Sequence, residues 1–240
     1  AGFENINLDL MFAIPTQTME IWRATLNEAM AMQSEHLSSY EVIYEDDTPL
    51  YEQLKAGEFS VDENLASEMY EELISSATRG GFHQYEIANF ARNGRDGVSP
   101  SQNQIPFFAC KHNVNYWRGG NFYGLGPSAT GYVRGIRTKN WSNTQLYCEQ
   151  LEKGKRAIES SEELPPLKRA GETAAFGLRM NSGWPFEEFQ RATNFDLRNE
   201  WAGEMNQLTE RGWASRDAEK FQLTHQGLRF ADSAAELFLR

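Results

Sequence analysis

With 240 residues, 40% of them hydrophobic and 12% aromatic, the chain is long enough to bury a substantial core in one large or two small domains. A formal net charge of −11 argues against a protein that coats nucleic acid or anionic lipid, because phosphate binding draws on clustered Lys and Arg. Two cysteines, Cys110 and Cys148, make neither a disulfide framework nor a cysteine metal cage, and the longest apolar stretch, around Leu8 to Pro15, is broken by Asp9 and far too short to span a bilayer, so a reducing cytoplasm is the expected compartment.

Ala1 is not an initiating residue and the chain enters a strand pattern almost at once, the look of a chain cut inside a domain; Glu4 and Asp9, without a basic region, do not read as a signal peptide. Residues 5–14 alternate, with Ile6, Leu8, Leu10, Phe12 and Ile14 on one face and Asn5, Asn7, Asp9, Met11 and Ala13 on the other, which predicts a strand with one apolar side. Thr18 caps a predicted helix carrying Ile21, Trp22, Thr25, Leu26, Ala29 and Met30 at helical spacing, and a second strand follows over 37–44. Strand, helix, strand in about forty residues is a βαβ unit with parallel strands. Asp62 opens a further helix stopped by Gly80-Gly81, and 82–90 reads as a strand.

Residues 93–106 are rich in Gly, Ser, Asn, Gln and Pro and read as a mobile loop or lid. Beyond them, His112 and Tyr116 stand four residues apart and share one face if that turn is helical. Both side chains can ligate an iron held in a flat aromatic macrocycle, and Trp117 can pack on its edge; the bland reading is a hydrogen-bonded histidine above a Tyr-Trp core pair. A glycine-punctuated hairpin is predicted over 121–140, a helix capped by Ser142 reaching Glu152, and a longer one from Pro165-Pro166 to Met180. From Trp184 a short helix, a second near 200–211, a hairpin about Asp217–Lys220 and a closing helix over 225–239 suggest a winged-helix-like module. Between Pro185 and Arg240 seven Lys or Arg face ten Asp or Glu, a balance of −3, which favours a packing or lid module over a DNA reader.

Among single residues, Asp9 in mid-strand beside Asn5 and Asn7 implies either a polar ligand or a buried network, since a buried carboxylate needs polar partners. Gly124-Leu125-Gly126-Pro127-Ser128-Ala129 reads as a tight turn, because the β-like Thr130-Gly131-Tyr132-Val133 stands where a dinucleotide fingerprint needs a helix. His36, His83 and His225 read as structural or exposed, and Cys110 two residues before His112 is a weak metal signal.

Three segments in order, Tyr85-Glu86-Ile87-Ala88-Asn89-Phe90-Ala91, His112-Asn113-Val114-Asn115-Tyr116-Trp117 and Tyr123-Gly124-Leu125-Gly126-Pro127-Ser128-Ala129, resemble the HemN/HemW family of radical-SAM coproporphyrinogen dehydrogenases and heme chaperones. The His-Asn-x-x-Tyr-Trp string is closer to the HemW branch. Asp9-Leu10-Met11-Phe12-Ala13-Ile14-Pro15-Thr16-Gln17-Thr18 is similar to the family's Asp-Leu-x-Tyr-Gly-Leu-Pro-x-Gln-Thr strand, with Ala13 and Ile14 in place of glycine and leucine. The resemblance covers essentially the whole chain but begins at the family's fifth barrel strand.

It implies an α/β fold: the C-terminal part of a partial TIM-like (β/α) radical-SAM barrel over 1–91, a loop and β-rich porphyrin-side segment over 92–141, linking helices over 142–183, and a winged-helix-like C-terminal domain over 184–240. Asp9 and Gln17 would lie on the S-adenosylmethionine side, and His112, with Tyr116 as second choice, would meet heme and its iron. The family's [4Fe–4S] cluster rests on a Cys-x-x-x-Cys-x-x-Cys loop that these 240 residues do not contain. The implied function is HemW-like heme binding and delivery to acceptor proteins. The alternatives are oxygen-independent coproporphyrinogen III oxidation and an interaction module without activity. Self-association through the barrel edge at Asn5–Ile14 is also expected.

Overall fold

The computed structural model describes residues 2–94 and 105–239, so most of the expected lid at 93–106 lies outside the described residues. The chain forms two compact units, Ala1–Cys110 and Lys111–Arg240.

In the first unit, β1 (Asn7–Phe12), α1 (Met19–Ala31) and β2 (His36–Glu41) form the expected βαβ unit, with β1 and β2 parallel and Asn7 opposite His36, Asp9 opposite Ser38. Then come α2 (Pro49–Lys55), α3 (Glu63–Arg79), β3 (His83–Gln84) and β4 (Asn89–Ala91), giving a sheet in the order β1-β2-β4-β3 with β1 at its edge. Strand alternation sends Leu8, Leu10 and Phe12 toward the helices, where Phe12, Trp22, Leu26, Leu37, Met69, Leu73, Phe82 and Phe90 make the core. Full burial of side chains this size contributes roughly 1.5–3 kcal/mol each. The Trp22 indole N–H also donates to the Met69 carbonyl at 2.8 Å, tying α1 to α3.

Thr18 and Asp62 cap α1 and α3 by accepting from the amides of Ile21 and Leu65, as expected, each worth about 1 kcal/mol. The single strand expected over 82–90 is instead two short antiparallel strands. Its middle turns back on itself: the Tyr85 amide donates to the Asn89 carbonyl, and the Ala88 amide donates to the Glu86 carboxylate. A carboxylate that captures a nearby amide competes with the ladder, which periodicity does not register.

The second unit opens with α4 (Lys111–Trp117) and a hairpin of β5 (Thr130–Val133) and β6 (Ile136–Asn140). Arg134 and Gly135, both at positive φ (+53° and +84°), supply the two-residue connection whose twist matches the strands. Next are α5 (Thr144–Glu152), β7 (Ile158–Glu163) and α6 (Pro166–Gly177). Asn143, not Ser142, caps α5, accepting from the Leu146 amide. β7 pairs antiparallel with β6 and has no counterpart in the sequence reading, because Glu-Ser-Ser-Glu-Glu carries no apolar alternation; the ladder and an Arg137–Glu162 pair hold it.

The remaining elements are β8 (Trp184–Pro185), α7 (Phe186–Thr193), α8 (Leu197–Glu200), α9 (Ala202–Glu210), β9 (Ala214–Arg216), β10 (Lys220–Leu223), α10 (His225–Leu228) and α11 (Ala231–Glu236), with a sheet in the order β8-β10-β9. The helix expected near 200–211 is α9, preceded by the short α8, whereas the one expected over 225–239 divides in two at Phe230. Trp184, Phe189, Trp201, Phe221 and Phe238 form the aromatic heart of this part. Gly171 and Gly177 let α6 lie against it: a Cβ at Gly177 would stand 2.1 Å from the Trp184 indole nitrogen.

Candidate functional site

In the first unit the sheet face opposite the core is polar. Asp9 is exposed there, and one carboxylate oxygen accepts from the Asn7 amide at 2.8 Å. Asn7 Oδ1 in turn takes a bond of 2.7 Å from Nδ1 of the buried His36, and the Tyr85 hydroxyl donates to His36 Nε2 at 2.8 Å while accepting the Cys110 amide at 3.1 Å. An amide oxygen accepts only, which places the imidazole proton on Nδ1 and leaves Nε2 as acceptor. Ser38 donates to Asn89 at 2.7 Å and lies 3.2 Å from Asn7, and the Asn89 amide reaches the buried Glu86 carboxylate.

Asp9 thus belongs to a connected network running from β1 through β2 to β4. Burial drives the His36 pKa below its ordinary value, opposed by the Asp9 charge, so the ring is held neutral. Burial likewise pushes the Tyr85 phenol up. His36 is thus structural, one of the two roles its sequence allows, and the partners that hold it lie 29 and 49 residues away. The available signal was the Asn-x-Asp alternation facing a His-x-Ser alternation in register.

Gln17 closes the turn after β1. Its amide donates to the Ile14 carbonyl at 2.9 Å and its side-chain oxygen accepts the Ile14 amide at 3.4 Å. Pro15 and Thr16 occupy the turn's centre with Thr16 at φ +68°, and Ala13, standing where the resembled strand has glycine, is at φ +57°.

In the second unit α4 gathers the aromatic residues. His112 is exposed, and its ring packs edge-on to Tyr116 at 4.9 Å between centroids, the i, i+4 pairing its spacing implies. Tyr116 stacks on Phe122 at 4.0 Å, and Phe122 meets Tyr132 of β5 at 6.1 Å. Among the described residues the His112 ring makes no hydrogen bond.

Beside this stack opens a cavity of about 270 Å³ lined by Tyr116, Trp117, Phe122, Tyr132 and Phe176 together with Gly119, Gly120, Arg137, Arg169, Glu172 and Thr173. Trp117, Tyr116 and Phe122 therefore share one concavity, whereas Tyr123 is 81% exposed and does not line it. The buried Trp117 indole N–H has no acceptor among the described residues. The 124–129 segment is a tight turn, with Gly126 and Ser128 at positive φ and Asn140 donating to the carbonyls of Gly124 and Gly126.

Cys148 is exposed on α5 and Cys110 belongs to the first unit, and two thiols do not make the three thiolates of a [4Fe–4S] site. These residues do not fit that group. Among the described residues no helix is long and apolar enough to cross a membrane.

Residues 164–230 match the HemN C-terminal domain. The heme chaperone HemW of Lactococcus lactis subsp. lactis is 29% identical over 240 residues, covering 100% of this chain and 59% of that protein, and the heme chaperone HemW of Bacillus subtilis is 30% identical over 239 residues, covering 99% and 60%. A mitochondrial protein of Danio rerio, radical S-adenosyl methionine domain-containing protein 1, is 30% identical over 187 residues, covering 74% of this chain and 39% of its own. The solved structure of coproporphyrinogen III oxidase (HemN) from Escherichia coli, described as a radical SAM enzyme, superposes with a TM-score of 0.75 at 16% identity over 99% of this chain and 55% of that one. The fold is therefore a partial radical-SAM α/β fold with a C-terminal domain. The chain spans about 60% of the length of the curated HemW relatives named above.

Proposed function

Since the chain is a partial HemN/HemW-like protein, we propose that it serves heme handling in the cytoplasm, binding heme through its second unit and passing it to acceptor proteins. The observation that supports this most is the exposed His112 imidazole, free of hydrogen bonds among the described residues and flanked by the Tyr116–Phe122 stack and an aromatic-lined cavity. A neutral imidazole is a good ligand for heme iron, and stacked aromatics offer apolar surface to the macrocycle. His112 is the axial ligand in this reading and Tyr116 the second choice.

Asp9 and Gln17 are assigned to S-adenosylmethionine in the same reading. The exposed Asp9 carboxylate keeps lone pairs free beyond its bond to Asn7, and Gln17 fixes the turn that follows β1. The cofactor supplies radical chemistry in complete members of the family; these 240 residues do not supply the cluster ligands, so no radical step is derived for them.

Soret titrations of the wild type, His112→Ala and Tyr116→Ala test the heme assignment. Loss of His112 should change the iron's spectrum and weaken binding, with a smaller effect for Tyr116. Identical spectra and affinities for wild type and His112→Ala would eliminate His112 as ligand.

A further inference from the structure

The two arginines of the cavity differ in what already holds them. Arg137 pairs with Glu162 at 2.9 Å and with Glu172, so its charge is met by two carboxylates. Arg169, half-buried on α6, has a guanidinium without a hydrogen bond or ion pair among the described residues. The hairpin connection makes room for it: a Cβ at Gly135 would stand 2.0 Å from Arg169 Nη1. In the same cavity, the Trp117 indole N–H is a buried donor lacking an acceptor among the described residues.

A buried N–H is costly until something accepts from it, and it lines, together with the half-buried Arg169, a slot walled by Tyr116, Phe122 and Tyr132. At about 270 Å³ the slot lies at the small end of ligand pockets, so it takes an edge of a flat ring system and not a whole macrocycle. An aromatic slot with spare donors and a spare positive charge matches a planar ring that bears a carboxylate on its rim.

We propose that Arg169 is a specificity-determining residue that pairs with a rim carboxylate of a tetrapyrrole, selecting the acid-bearing edge for the cavity. This rests on the heme reading above but does not depend on iron. His112 recognises the metal, while Arg169 recognises the ring's acidic substituents.

Metal-free protoporphyrin IX and its dimethyl ester isolate the second interaction, because neither offers an iron to His112. Fluorescence titration of the wild type should show the diacid binding about tenfold or more tighter than the diester, the gain typical of a charge-assisted hydrogen bond. Arg169→Gln should abolish that preference and Arg169→Lys should keep part of it, since a point charge replaces a planar fork. Equal affinity of the wild type for diacid and diester would overturn the proposal without needing any variant. If that equality appears while His112→Ala still alters the heme Soret band, heme binding stands and only the role of Arg169 falls. Retention of the full preference by a folded Arg169→Gln would overturn it equally. Failure of the wild type to bind either porphyrin or heme would remove both readings together.

Discussion

The polar network of the first unit and the aromatic cluster at α4 of the second each gather a histidine, a tyrosine and charged groups, but they leave those groups in different states. In the network His36 is buried with both ring nitrogens bonded, and Tyr85 both donates and accepts. At α4, His112 is exposed with no hydrogen bond among the described residues, the buried Trp117 N–H has no acceptor among them, and the half-buried Arg169 guanidinium has no protein partner among them. A saturated cluster holds a fold together, because every member removed strands a partner. An unsaturated one carries an unfavourable free-energy term that a ligand removes.

The sharpest way to break this contrast is to delete each histidine. His36→Leu leaves the buried Tyr85 hydroxyl without its acceptor and removes the imidazole's bond to Asn7, so the first unit should lose about 2–4 kcal/mol, whereas His112→Ala should stay within about 0.5 kcal/mol of the wild type. Peptide-resolved hydrogen exchange reads the two units separately and measures both values. Comparable losses at the two histidines would end the distinction. Tyr85→Phe combined with His36→Leu should cost less than the sum of the single changes, with a coupling of roughly 0.5–3 kcal/mol, because the second deletion removes a group the first had already stranded.

Local signals made much of this legible in the sequence. The alternation of β1, the Thr18 and Asp62 caps and the His112–Tyr116 spacing all act within a few residues, and the helix over 111–117 brings those two rings to 4.9 Å. What escaped depends on distant partners. His36 reads as structural or exposed, but the network around it takes shape only when β1 supplies Asn7 and the turn before β4 supplies Tyr85. β7 is a strand because β6 offers a ladder, not because Glu159-Ser160-Ser161-Glu162-Glu163 favours one. Arg169 looks like any helical arginine beside Lys168 until the glycine of the hairpin turn is brought against it. Asn143 and Ser142 are both capping residues, and only the path of the chain chooses between them.

Acidity offers a milder way to sharpen the same comparison. The unfolded chain protonates His36 as the pH falls below about 6.5, while burial keeps the native imidazole neutral to lower pH. The unfolded state then binds more protons than the native one, so stability is complete above that pH and declines as the pH drops through and below it. One such group contributes a slope of at most about 1.4 kcal/mol per pH unit. Urea midpoints for the first unit measured between pH 7 and pH 5 should fall, and His36→Gln should flatten the descent. An unchanged slope in His36→Gln would assign the acid sensitivity to other groups.

The smallest effect concerns the turn that leaves β1. Ala13 at φ +57° and Thr16 at φ +68° both occupy the left-handed region, which costs a residue with a Cβ about 1–2 kcal/mol, and Thr16 sits in the turn position after proline where glycine is favoured. Glycine relieves that cost but loses about 0.5–1 kcal/mol to its freer unfolded chain. The balance predicts that Thr16→Gly, at an exposed site, stabilises the first unit by about 0.5–1 kcal/mol, and that Ala13→Gly gains less because its methyl packs on the core. Urea midpoints would show both shifts. Strain held beside Asp9 and Gln17, next to a hydrogen-bonded network, is the feature of the first unit that most resembles the unsaturated cavity of the second. If it serves S-adenosylmethionine, Thr16→Gly should raise the urea midpoint while weakening the cofactor's binding to this chain in calorimetry; a stabilised variant that binds as the wild type does would return the turn to the structural side of the comparison.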